Sequence, residues 1–449
     1  MAGSKVQKTL KVEIREVLSS YDVSMEKPSA YKMAKICLKL LGIFERCADP
    51  RVKGRCSYRL ADLILMIFLA RLSGADTIGE ICIFWDSEIR VYKRIFKHEA
   101  VPSHDTFRRI LSLIEPTAIN EVLVDAVKLR DEAIRKALNI PKPERTQVMM
   151  DGKVMRGTRR KAGTDEEVKA IQILNAMEYD SETCIASIAI DKKTNEIPHV
   201  RELIANVIDT KDKIITFDSL HTNIETVRLI MAKNKPGHRT DFVGGLKGNQ
   251  PKLNEFAKNR ITDGYMKEVE GDDNLYFNTT EISHNQLEDR QFYMYKLKDI
   301  EKRGLFLEWP NGVNTITCVK KTIRHNVTGK ESVEIRNYLS SLDDVRLIAD
   351  VIRSHWAIEN NLHWELDTVM NEDQCSLTNR AAATNWSIIN KICLSFLKRY
   401  QELLGKKAPS KKGLRKMLGW NFREILGRIL LLMDAEELSS SLILSQKEK

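Results

Sequence analysis

The chain has 449 residues, 43% of them hydrophobic, and a formal net charge of +10. That length accommodates about two to four domains with sizeable cores, and the charge favours polyanions, DNA or RNA first, over acidic proteins and neutral metabolites. The longest apolar run, Leu60 to Ala70, is broken by Asp62, meets Arg71 at once and is too short to cross a bilayer. Met1-Ala-Gly-Ser-Lys5 leads into charged sequence with no apolar signal core, so a cytoplasmic chain without a membrane partner is expected. The eight cysteines include no Cys-x-x-Cys pair, which suits reduced core thiols better than a zinc or disulfide framework.

Residues 1–140 read as a helical N-terminal domain for DNA binding or assembly, with apolar positions such as Ile110, Leu113 and Ile114 at helical spacing. Ser103 or Asp105 can cap the helix that carries Phe107. Pro141-Lys-Pro143 marks a boundary, after which Gln147–Met150, Ala170–Leu174 and Thr183–Ile190 suit a three-strand meander. A helix over Val200–Val207, a strand Lys213–Phe217, a helix Asn223–Ala232 and a strand Asp241–Gly245 follow. Strands that alternate with helices after a meander predict an α/β core, 141–259, with a mixed sheet and helices on its faces. Strand candidates Phe292–Tyr295, Gly304–Leu307 and Asn314–Val319 suggest a β-rich insertion over 260–340. Helices resume at about Leu342, completing the core over 341–395 and forming a C-terminal region over 396–449.

Two aspartates sit where chemistry could be placed. Asp151 follows an apolar strand and opens Asp-Gly-Lys-Val-Met-Arg-Gly157; Asp218 ends the strand Ile-Ile-Thr-Phe217. Each alone suits a turn or helix cap, but open α/β sheets bind ligands beyond the carboxyl ends of their strands, so the two acids are candidates to face one another. A helix expected over Asp344–Asp367 places His355, Glu359 and His363 on one stripe. The plain alternative is a solvated stripe with Trp356 and Trp364 in the core. Two aspartates and a glutamate can hold hard divalent cations for phosphodiester chemistry. The competing His-x-x-x-Glu-x-x-x-His zinc cluster matches no hydrolase spacing.

Asp151-Gly-Lys-Val-Met-Arg-Gly, Asp218-Ser-Leu-His-Thr-Asn and His355-Trp-Ala-Ile-Glu-Asn-Asn-Leu-His-Trp-Glu-Leu-Asp, followed by Asn371-Glu-Asp373, resemble the DDE transposases of bacterial insertion sequences, in particular the H-repeat-associated group. Asp49-Pro-Arg51, Tyr58–Leu63, Pro102–Phe107, Lys193-Thr-Asn-Glu-Ile-Pro198 and Lys247-Gly-Asn-Gln-Pro251 extend the likeness over roughly residues 45 to 430. The resemblance implies an RNase H-like core in which Asp151, Asp218 and Glu359 are catalytic and hold two Mg²⁺ or Mn²⁺ ions. It also implies hydrolytic cleavage at the element ends of double-stranded DNA, then attack of the freed 3′-hydroxyl on target DNA. A homodimer in a synaptic complex and a bacterial, nucleoid-associated location are expected on the same ground. A transposase-derived DNA binder and a metal-dependent nuclease are the alternatives.

The sequence departs from related transposases four residues before and seven after the glutamate, where arginine and lysine are common and His355 and Leu366 stand here. The stretch His284–Arg290 lacks the group's usual Gly-Arg after its histidine. Lys153, Arg156, His221, Lys247, Asn249, Gln250, Arg353, His355 and His363 are expected DNA contacts from the matched motifs. Lys398 to Arg428 adds ten Lys/Arg against two acids. It reads as a phosphate-tracking surface, with Lys411, Lys412, Arg415 and Lys416 as its contacts. Trp420 and Phe422 suit core packing better than base stacking.

Overall fold

The computed structural model describes residues 21–25, 30–159, 169–190, 195–283, 286–325, 329–405 and 408–446. Its strands, in chain order, are β1 Tyr21–Met25, β2 Thr146–Met155, β3 Ile171–Glu178, β4 Thr183–Ala189, β5 Lys213–Phe217, β6 Thr240–Leu246, β7 Tyr276–Ser283, β8 Gln286–Lys296, β9 Thr315–His325, β10 Glu331–Ser340 and β11 Leu442–Gln446. Nine of them form one sheet in the order β4-β3-β2-β5-β6-β10-β9-β8-β7. Within it β2, β3 and β4 run antiparallel while β5 and β6 run parallel to β2. This meander followed by parallel strands reached through helices is the RNase H-like arrangement, and the fold is the expected α/β one.

Residue alternation along β2 shows how the sheet is sandwiched. Met149 enters one core and its neighbours Val148 and Met150 enter another, as the two-residue period of a strand requires. The first core joins the N-terminal helices, the sheet face carrying Met149 and Met177, and the long Arg380–Leu404 helix. The second lies under Glu196–Glu202, Ile224–Met231 and Pro251–Arg260. A third packs the Val345–His355 helix on Ile214, Val243, Phe292 and Val319. Parallel strands covered on both faces read as continuous apolar runs, which is why the sequence delimits Lys213–Phe217.

Several elements differ from expectation. The stretch 260–340 holds four strands that continue the central sheet through the antiparallel β10–β6 pair, with Asn337 opposite Leu246. Leu305 and Leu307 lie in turns and are exposed, so the strand over 304–307 is corrected; the short Asp299–Lys302 helix precedes it. The helical N- and C-terminal regions each contain a strand, β1 and β11, paired antiparallel from Tyr21–Gln446 to Met25–Leu442. The Leu60–Leu72 helix is buried along its whole length, as its unbroken apolar run implies. Ser103 caps the His104–Leu113 helix by accepting from the Thr106 amide. Cys37, Cys47, Cys184, Cys318, Cys375 and Cys393 are buried. No helix among the described residues is long and apolar enough to cross a membrane.

Candidate active site

Register brings the two aspartates together. In the parallel β2–β5 pair the last partners are Met150 and Phe217, so Asp151 and Asp218 occupy the next step on adjacent chains, which run roughly 4.8 Å apart. Contrary to expectation, Asp151 does not end its strand, because β2 continues to Met155 against β3 after β5 has stopped. Asp218 does end β5, where its carboxylate accepts from the Leu220 amide.

Glu359 comes from a segment far along the chain. The expected single helix is interrupted: an α-helix spans Val345–His355, a wider π turn spans Glu359–His363, and Trp364–Thr368 resumes the α-helix. The wide turn keeps Glu359 and His363 on the site side, with Glu359 exposed and His363 Nδ1 3.5 Å from Asp151 Oδ2. Burial, and then the charges of Glu359, Glu196 and Asp218, push the Asp151 carboxyl up to about 7. The three expected acids therefore share one electrostatic neighbourhood.

A fourth acid belongs to it. Glu196 opens the Glu196–Glu202 helix and accepts from Gln172, while His221 Nε2 lies 3.1 Å from its Oε2 and 3.9 Å from Asp218 Oδ1. A Cβ at position 152 would collide with Glu196 Oε1, so Gly152 leaves the space this carboxylate fills beside Asp151. The signal was present in the matched Lys193–Pro198 motif, but a role for its glutamate needs the fold. Asn175 was missed as well: it pairs with Asp151 across β2–β3, is buried and touches His363 Nε2 at 3.2 Å through its Nδ2.

The expected DNA contacts divide into residues engaged by other parts of the protein and exposed cations. Lys153 is buried and faces Asp367 at 2.7 Å, Asp373 at 3.7 Å and Glu372 at 3.8 Å, so its charge is taken up inside the protein. His221 is buried beside Glu196. His355 lies 2.9 Å from Thr216 Oγ1, and burial lowers it to about 4. Burial, with Lys153 and Lys391 nearby, lowers His363 to about 3. Arg353 pairs with Glu281. Asn249 and Gln250 donate to the carbonyls of Ser219 and Thr222, tying their loop to the turn after Asp218. Arg156 and Lys247 are exposed.

The basic C-terminal stretch is corrected in the same way, since much of its charge balances internal acids. Lys398 pairs with Glu182 and Glu365, Arg399 with Glu402, Lys411 with Glu365, and buried Arg415 with Asp76. Lys412 and Lys416 face solvent; Lys406 and Lys407 lie outside the described residues, as do His284 and Asn285 of the insertion motif. Trp420 is 80% exposed and not in the core, whereas Phe422 is buried against Phe84 and Trp85.

The family described as "Transposase DDE domain" matches residues 142–396, and the one described as "DDE_Tnp_1-associated" matches 41–126. The chain belongs to the DDE transposases. Relatives in Escherichia coli place the transposase in the H-repeat-associated group. "Putative transposase YncI" of strain O157:H7 is 28% identical over 82% of this chain and 89% of its own length. "H repeat-associated putative transposase YhhI" of strain K12 is 28% identical over 80% and 90%. A solved piggyBac transposase synaptic complex with hairpin DNA aligns with 14% identity and a TM-score of 0.40, covering 90% of this chain and 84% of that one. DDE transposases generally use divalent metal ions. Oxygen donors from Asp151, Asp218, Glu359 and Glu196 suit a hard cation, although no three His, Cys, Asp or Glu side chains among the described residues already converge on one cation position.

Proposed function

We propose that this transposase hydrolyses a phosphodiester at each end of a mobile element in double-stranded DNA and then joins the freed 3′-hydroxyl to target DNA. In this reading Asp151, Asp218 and Glu359 are the catalytic acids and hold two Mg²⁺ or Mn²⁺ ions. The observation that carries it is the β2–β5 register, which sets Asp151 and Asp218 side by side, with Glu359 close enough to raise the Asp151 carboxyl. Three or four acids that repel one another are poorly suited to a structural role and well suited to a cation.

Bound divalent ions supply activation of the attacking oxygen and stabilisation of the leaving one. The protein contributes position. Gln172 and His221 hold Glu196 over Gly152, and Asn249 and Gln250 brace the turn that follows Asp218. Among the expected contacts, Lys247, Lys412, Lys416 and Arg156, which also lies 3.7 Å from Asp373, are exposed cations able to track DNA phosphates. Two element ends must be processed together, which suits a homodimer acting in the bacterial cytoplasm where the nucleoid lies.

The test is Mg²⁺-dependent cleavage and strand transfer on DNA carrying the flanks of the encoding gene, with wild type compared with Glu359→Gln. Metal-dependent joined product that disappears in the variant supports the proposal. Nicking without joining turns the reading to a nuclease, and end binding with neither reaction turns it to a transposase-derived binder.

A further inference from the structure

A buried cation stands behind Asp151. Lys391, midway along the Arg380–Leu404 helix, is 2% exposed, and its Nζ lies 2.6 Å from Asn175 Oδ1 and 3.0 Å from Ser187 Oγ. Burial pulls Lys391 below the usual lysine value, but its Nζ donates to both of these oxygens, so the Asn175 oxygen faces it and the amide NH₂ faces away. Ser187 Oγ, 3.2 Å from the same oxygen, donates to it as well. The NH₂ then meets His363 Nε2 at 3.2 Å, and that nitrogen must accept. A histidine that accepts at Nε2 is neutral and carries its proton on Nδ1. Nδ1 is the atom 3.5 Å from Asp151 Oδ2.

The opposite assignment fails at the far end. A proton on Nε2 would need the Asn175 oxygen opposite it, which would turn the amide NH₂ onto the Lys391 ammonium, donor against donor. The arrangement follows from two local features. Asp151 and Asn175 are direct cross-strand partners and therefore share a sheet face. The π turn keeps His363 on the same side of the chain as Glu359.

We infer that Lys391, acting through Asn175, fixes His363 as an Nδ1–H donor toward Asp151, so that His363 is a positioning residue for the first carboxylate. It is then neither a metal ligand nor a phosphate contact: the Nδ1–H is directed at Asp151, and Nε2 is engaged by the amide. The inference rests on the proposed role of Asp151 in holding a cation, since the benefit is one carboxylate oxygen steadied and the other left free. Partners of this kind behind a metal ligand typically contribute about 10–100-fold in metal affinity or activity.

The experiment is NMR of the full chain with isotopically labelled histidine rings, with chelator present and the His363 signal assigned by its loss in His363→Gln. Wild type should show the Nδ1–H tautomer near pH 7. Asn175→Asp replaces the amide NH₂ with an oxygen that accepts from the ring while still serving Lys391, so the signal should switch to Nε2–H. In the same variant Mn²⁺ affinity, read by electron paramagnetic resonance, and strand cleavage should both fall by about 10–100-fold with end-DNA binding retained. A wild-type ring protonated at Nε2, or on both nitrogens, overturns the inference, and this measurement needs no variant to fold. A tautomer switch that leaves Mn²⁺ affinity and cleavage at wild-type levels overturns the positioning role. Cleavage by Asp151→Ala at the wild-type rate would instead remove the functional reading beneath it, with the tautomer measurement unaffected.

Discussion

Without divalent ions, Asp151→Asn should make the folded chain more stable, by an amount that grows with pH. The wild-type carboxyl is pushed from 3.8 up to about 7, first by burial and then by the charges of Glu359, Glu196 and Asp218. Between these values the folded chain keeps a proton that the unfolded chain has released. Raising the pH through that window therefore destabilises the folded state, and below it the cost vanishes. At about 1.36 kcal/mol per pH unit the ceiling is roughly 4 kcal/mol above pH 7, reduced by the water that reaches a carboxyl 27% exposed. Asparagine cannot ionise and escapes this cost. Thermal unfolding of both proteins in chelator from pH 4 to 8 should show a stability gap close to its smallest value at the acid end that widens in favour of the variant and levels off above pH 7. Mg²⁺ should then raise the wild type more than the variant, by about 2.7 kcal/mol at one hundred times the dissociation constant. A gap that stays flat or narrows with rising pH would refute the electrostatic account of the site.

Lys153→Met should lower stability by about 3–5 kcal/mol, because it strands the acids around a buried cation; unfolding midpoints check this, and the salt dependence of DNA binding should not change. Replacing both Lys412 and Lys416 with alanine should make the slope of log affinity against log salt shallower by roughly 0.9 for each phosphate no longer neutralised, as titrations on end DNA would reveal, with stability nearly unaltered. Gly152→Ala should displace Glu196 and slow cleavage while leaving end-DNA binding intact, measured by gel assays of both.

The sequence carries the parts of this structure that obey short-range rules. The apolar run Lys213–Phe217 marks its strand, and the acid that ends it marks a strand mouth. Ser103 marks its helix start because a cap needs only three residues of context. What depends on partners far along the chain stays hidden. Nothing near Lys153 announces Asp367, and nothing near Arg415 announces Asp76, so both cations read as solvent-facing when they are internal counter-ions. Glu196 lacked a role for the same reason: its place beside Asp151 depends on a glycine 44 positions earlier having no side chain. The helical period across His355, Glu359 and His363 ignores the π turn, which a regular 3.6-residue repeat cannot anticipate.

The Arg380–Leu404 helix shares one core with the N-terminal helices and the nine-stranded sheet; Arg71 reaches its Asn390, Arg130 its Ser395, and its Lys391 reaches Asn175. The N-terminal helices and the nine-stranded sheet are thus welded and not hinged. Lineages built on this plan cannot trade their leaders like cassettes, since a foreign leader would arrive without the matching half of that seam. Change in such a chain falls more easily on its outer surface, while the shared interior is kept whole.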